Sequence, residues 1–328
     1  MRRASRTTRL LALIPLVIAV IAACAWIGPT WLSIRDLAGL SPIAQLRITR
    51  TLLAATAGAG LAVGGVAFQA IFRNPLATPY TLGIDTGAAL GAAIGFLLKL
   101  GGTWAGVPSL TLLAFVGAGV AMLAVYSLSR LRVGNDMTRL LLAGVCVAYL
   151  CTAGIFIATT LASRAFADDL MIWVMGSLGS FRRQAIFEIA GALAATLAVL
   201  TYFNRDLDLL AMGDDLAATR GVAVKRIVWT CYGLVGVLTA TIVANCGPIG
   251  FVSLMVPHMA RALVGATALP LLISSAMLGA AFLSVCDALT RSAFPVFELP
   301  VGALTNLLGA AFFFYLLATR DVAYGERR

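Results

Sequence analysis

Four groups of residues have types and spacings that can do chemistry. Asp214 and Asp215 precede an Ala-rich stretch that closes on Arg220 and Gly221, with Gly213 before it and Ala217 at its middle. Acids in a first turn, a base in the last and glycine beyond describe a short helix whose dipole is complemented at both ends. Arg47 and Arg50 are three residues apart and share a face if helical. Asn74-Pro75-Leu76 interrupts an apolar run. Proline prevents simple helical continuation there, so the stretch reads as a plain helix-stop turn or as one that leaves Asn74 free to line a constriction. The fourth group is Pro257, His258 and Arg261. A lone histidine excludes a multi-histidine metal centre, and His258 reads as a hydrogen-bonded structural residue rather than a haem or iron ligand.

Other chemistry is missing. A phosphate-binding loop needs Gly-Lys followed by Ser or Thr. Neither Lys99 nor Lys225 follows a glycine, so the chain does not hydrolyse ATP by that route. Ion-coupled carriers place carboxylates in mid-helix, whereas Asp85, Glu188 and Asp287 fall near the ends of apolar runs. The six cysteines sit in apolar stretches without metal-ligand spacing and read as packing residues.

The elements that hold these groups follow from composition. Of 328 residues 61% are hydrophobic and 12% charged, about half the charged share of a soluble domain. Mean hydropathy is +0.97. These values exclude a soluble enzyme, a disordered chain and a nucleic-acid-binding domain. They imply an all-α membrane protein. Apolar runs of spanning length lie at about 10–28, 50–72, 82–100, 107–129, 139–161, 184–203, 227–245, 249–264, 269–290 and 301–319. The eighth is short and begins in a Gly-Pro-Ile-Gly stretch. The first, though preceded by a basic segment, is too long for a signal-peptide core and reads as an uncleaved span. With the N-terminus inside, basic residues fall two to one on the cytoplasmic face. That bias puts both termini in the cytoplasm and explains the net charge of +10 without a nucleic-acid partner. The whole chain, 1–328, then reads as one transmembrane permease domain with a cytoplasmic loop at 204–226.

The motifs occur in a specific order. They are Arg47–Ala54 running on through Gly58, Gly60, Gly64 and Gly65 to Gln69; Arg73–Pro79 with Leu82-Gly83 and Gly87–Gly91; Leu209–Gly221; and Gly247–Arg261 with Asp287–Arg291 and Glu298–Gly302. Together they resemble the permease subunit of iron-siderophore, haem and cobalamin ABC importers, over Arg47 to Tyr315. The resemblance implies a homodimer of ten-helix, non-enzymatic subunits in the cytoplasmic membrane. Two cytoplasmic ATPases would use ATP and magnesium, and this chain would bind no cofactor. An extracytoplasmic binding protein would deliver ferric siderophore, with haem or a corrinoid as alternatives. It further implies roles for named residues. Arg47, Arg50 and Arg291 meet acids of the binding protein. Gly213, Asp214, Asp215, Ala217, Arg220 and Gly221 form the helix that couples to the ATPase. Asn74, Leu76 and Thr138 form the cytoplasmic gate. The chain departs from the pattern at Thr49, where a proline is usual, and at Gly265–Pro270, where charged residues are usual. A secondary carrier driven by ions is the competing reading.

Overall fold

A computed structural model describes residues 6–28, 41–104, 106–129, 137–161, 164–179, 182–293 and 299–319. The helices are α1 Arg6–Trp26, α2 Pro42–Ile71, α3 Ile84–Leu97, α4 Ser109–Ser129, α5 Met137–Leu161, α6 Arg164–Val174, α7 Arg183–Tyr202, α8 Asn204–Met212, α9 Asp214–Thr219, α10 Val224–Cys246, α11 Val252–Val264, α12 Ala268–Ala293 and α13 Val301–Thr319. Each of the ten apolar runs therefore contains a helix. Among the described residues seven are long and apolar enough to cross a membrane, and shorter apolar helices occur at Leu10–Trp26, Ile84–Leu97 and Val252–Val264. Among the described residues further elements lie outside those runs, α8 and α9 in the 204–226 loop among them. Thr103–Trp104 pairs antiparallel with Val107–Pro108 in a two-stranded turn. Helix α6 occupies what reads in the sequence as a loop; it buries Leu170 beside Ala93 and Ala158 and leaves Asp168 and Asp169 exposed.

Helix α2 is the centre of the molecule. Pro42 opens it, and the backbone N–H of Ala44 donates to the Ser41 hydroxyl at 3.3 Å. Most of its length is buried on all sides, against α10, α11 and α12. Its glycines make that approach possible. A Cβ on Gly58 would run into the Gly279 carbonyl of α12, and one on Gly279 into the Gly58 carbonyl. Gly65 lies as close to the Ser253 carbonyl of α11. Lipid tails are as apolar as leucine, so helices in a membrane associate through such backbone-to-backbone packing.

Helix α11 is 13 residues, about 20 Å, short of the ~30 Å hydrocarbon core. Irregular backbone precedes it. The Tyr80 hydroxyl donates to the Ile249 carbonyl and accepts from the Ile249 N–H at 2.7 Å. The Ser177 N–H reaches the Cys246 carbonyl at 2.8 Å. Backbone groups freed from helix are thereby answered within the protein, as an apolar surrounding requires. Phe251 enters α11 at φ 63°, a left-handed conformation costly for a bulky residue, with its ring packed over Gly309.

Candidate functional site

One end of the bundle carries the short helices. Chain leaving α7 turns directly into α8, which buries Leu207 and Leu210. The Asp208 carboxylate accepts from the Ala268 N–H at 2.7 Å and so caps the start of α12 from a neighbouring segment. Gly213, at φ 142°, breaks α8 from α9 in a conformation that favours glycine. Helix α9 buries Ala217 and exposes Asp215, Leu216 and Arg220. Arg220 closes the helix, its N–H bonded to the Leu216 and Ala217 carbonyls, and Gly221 turns away at φ 83°. The expected short helix is present, and Val222 folds back onto the Ala217 carbonyl at 3.0 Å to hold it.

The Asn74 turn is tied to that helix. Arg73, at φ 49°, extends its guanidinium to the Asp214 carboxylate at 3.1 Å. Asn74 Oδ1 accepts from the Leu76 N–H at 2.9 Å, so the side chain also braces its own turn. Leu76 is 54% exposed and remains the projecting residue. Thr138 lies in the first turn of α5, and its side chain is outside the described residues.

The opposite end gathers the arginines. Arg50 Nε donates to Asp287 Oδ1 at 2.7 Å, and Arg291 Nε meets Asp287 Oδ2 at 3.1 Å from one turn along α12. Arg291 also donates to the Cys24 carbonyl at 3.1 Å, and Arg47 to that of Trp26 at 3.1 Å. The structure thus brings together the three residues expected to meet a binding protein, but turns them inward. Arg50 and Arg291 are each 5% exposed and Arg47 is 6%. Two physical causes act. A buried Asp287 needs countercharge, and the last carbonyls of α1 have no intrahelical partner, so guanidinium groups serve both. Sequence reasoning missed Asp287 as the hub, although its four-residue spacing from Arg291 was available. Exposed charge at this end comes from Arg183, which donates to Gln45 Oε1 at 2.7 Å. Beside it Arg182 pairs with Glu188 at 2.7 Å, and Asn245 donates to the other carboxylate oxygen at 3.0 Å. His258 stands edge-on to Phe312 with ring centres 5.7 Å apart, among aromatic neighbours.

Among the described residues the arrangement is that of a helical scaffold with a charged helix projecting at one end. Comparison with known proteins agrees. The Fe(3+) dicitrate transport system permease protein FecD of Escherichia coli (strain K12) is 39% identical over 274 residues, 83% of this chain and 84% of that protein. The hemin transport system permease protein HmuU of Yersinia pestis is 36% identical, over 83% of this chain and 82% of its own length. The iron(3+)-hydroxamate import system permease protein FhuB of Bacillus subtilis (strain 168) is 37% identical over 84% of this chain and 70% of its own. Among solved structures, one described as a metal-chelate type ABC transporter in an inward-facing conformation matches with a TM-score of 0.85 at 27% identity. That match covers 96% of this chain and all of that one. The FecCD transport family is matched over residues 8–319, almost the whole chain. The chain is a multi-pass permease subunit of the cytoplasmic membrane and belongs to the FecCD transport family.

Proposed function

We propose that this permease imports ferric siderophores as a homodimer of ten-span subunits with both termini in the cytoplasm. ATP would be hydrolysed, with magnesium, only in two separate cytoplasmic ATPase subunits. The observation that carries the reading is the α8–α9 unit. It is anchored on one side by Asp208 and by buried Leu207 and Leu210, and it presents Asp215, Leu216 and Arg220 on the other. A helix fixed to the bundle and exposed on its far face can pass a push from a partner into the membrane. Arg73 links Asp214 to the Asn74–Leu76 turn, so movement of α9 reaches the proposed gate, to which Leu76 and Thr138 contribute. Gly213 and Gly221 bound the lever, and Ala217 is its inward contact.

The binding protein docks at the arginine end. Arg47, Arg50 and Arg291 hold the shape of that end through Asp287, and Arg183 presents charge to the partner, steering encounter more than adding affinity. The substrate assignment is supported by the names of relatives, which include iron dicitrate and iron hydroxamate permeases; haem is the alternative, after HmuU.

Asp214→Lys combined with Asp215→Lys tests the lever. Expected is loss of co-purification with the ATPase and of radiolabelled iron-siderophore uptake, with unchanged thermal unfolding and dimerisation. Retained co-purification overturns the coupling assignment. Uphill accumulation by the chain alone in proteoliposomes would favour an ion-coupled carrier.

A further inference from the structure

Beside the Asn74–Leu76 turn lies a cavity of about 350 Å3. Leu76, Thr81, Asp85, Ser253 and Asn306 contribute to its wall, from the turn after α2, the starts of α3 and α11, and α13. Among the described residues that line it, Asp85 is the only acid and none is Lys, Arg or His. Its Oδ1 is buried and has no hydrogen-bond partner. The Ser253 hydroxyl is in the same position: the residue is fully buried and Oγ has no partner. Neighbouring hydroxyls are already committed. Tyr80 both gives to and takes from the Ile249 backbone, and Thr81 donates to the Thr78 carbonyl at 2.6 Å.

The contrast with Asp287 is instructive. That buried carboxylate is met by Arg50 and Arg291. Asp85 has no base on its wall, yet it stands in the first turn of α3, where the helix dipole favours the anion. A part-exposed carboxylate on a cavity wall in an apolar bundle, without a countercharge among the described residues that line it, is a candidate binding site. Its wall offers carboxylate, hydroxyl and amide oxygens among apolar residues, which suit a hard cation or an N–H donor. One carboxylate balances one positive charge. The volume is about ten times the ~30 Å3 share of a water molecule, enough for a partly hydrated ion or an ammonium group.

We propose that this cavity binds a single positive charge between Asp85 and Ser253, carried by an alkali-metal ion or by an ammonium group of the cargo. The site stands on the cavity itself; only its cargo form rests on the importer reading above. Its place beside Leu76 puts the bound charge next to the projecting residue of the gate turn.

Equilibrium binding of radiolabelled sodium and of radiolabelled methylammonium to the purified full chain in nanodiscs, at low ionic strength, tests it. Displaceable binding of at least one probe is expected. Asp85→Asn should weaken it about tenfold or more, since it removes the charge. Ser253→Ala should weaken it about threefold, and the exposed Asp169→Asn should leave it unchanged. Sodium binding that methylammonium does not displace assigns an inorganic ion, and the reverse assigns a cargo ammonium. No displaceable binding of either probe overturns the proposal, as does equal binding by wild type and the two cavity variants. Where Asp85→Asn does not fold, Ser253→Ala decides alone, because it deletes one oxygen and nothing else. Siderophore-stimulated ATP hydrolysis by the complex with its ATPase, measured alongside, judges the importer reading separately.

Discussion

At one end of the bundle Arg50, Asp287 and Arg291 close on one another inside the helices, whereas at the other Asp214, Asp215 and Arg220 stand on a six-residue helix. Both ends are rich in charge, and both come from short motifs that look alike as sequence. Burial separates their roles. At the arginine end each guanidinium answers a demand of the subunit: a buried carboxylate, or the open carbonyls of Cys24 and Trp26. Removing a partner there leaves a charge stranded in an apolar interior. At the α9 end Asp215 and Arg220 are exposed and Arg73 and Asp214 partly so, and water reaches these side chains, so their charges can be read by another protein without holding the fold. Inward charge fixes α1, α2 and α12 together; outward charge is free to couple.

The sharpest way to break this contrast is Asp287→Ala. It strands Arg50 and Arg291 together, and stability should fall by about 3–5 kcal/mol, the range for breaking one side of a buried pair. Thermal unfolding of the detergent-purified chain measures it. Asp287→Ala with Arg50→Met should recover part of the loss, because less uncompensated charge remains. If Asp287→Ala unfolds no earlier than wild type, the arginine end is not held by its ion cluster and the contrast fails.

A smaller effect sharpens the other half. Asp208 belongs to the α8–α9 end yet faces inward, to the Ala268 N–H at 2.7 Å. Asp208→Ala should cost about 1–2 kcal/mol, as the loss of a helix cap does. It should also reduce uptake, since the lever loses its anchor on α12. Asp208→Asn, which keeps an acceptor oxygen, should restore most of both. This places the dividing line at burial and not at position along the chain.

How much of this was legible beforehand follows the same line. The ten apolar runs, the short helix after Gly213 and the Arg–Asn–Pro turn were readable, because each is set by local pattern: hydropathy, a dipole-complementing charge order, a proline. Helix α6 was not readable, since it is only 11 residues long, is interrupted by Asp168 and Asp169, and gains its order by packing Leu170 against Ala93 and Ala158. The inward direction of Arg47, Arg50 and Arg291 was not readable. Nothing local says that Asp287, 237 residues from Arg50, is its counter-ion. The bracing role of Asn74 was missed for the opposite reason. Its partner is two residues away, and an Asx turn was available to the eye. That Asp85 and Ser253, 168 positions apart, line one cavity needed the fold.

The smallest stability effect carries the most mechanical meaning. Arg73 and Asp214 are 3.1 Å apart with side chains 42% and 34% exposed. A solvent-facing pair of that kind is worth about 0–1 kcal/mol and is screened by salt. Arg73→Ala should therefore leave the unfolding temperature almost unchanged. If the pair serves only to decorate the surface, uptake should be unchanged too. If it carries motion from α9 to the Leu76 turn, uptake per ATP hydrolysed should drop while the ATPase stays bound and active. The φ of 49° at Arg73 adds a second handle. Glycine tolerates that backbone better than arginine does, so Arg73→Gly keeps the turn, relieves its strain and removes the link. A fall in coupling shared by Arg73→Ala and Arg73→Gly, with stability held or raised in the second, isolates the ion pair from the turn that bears it.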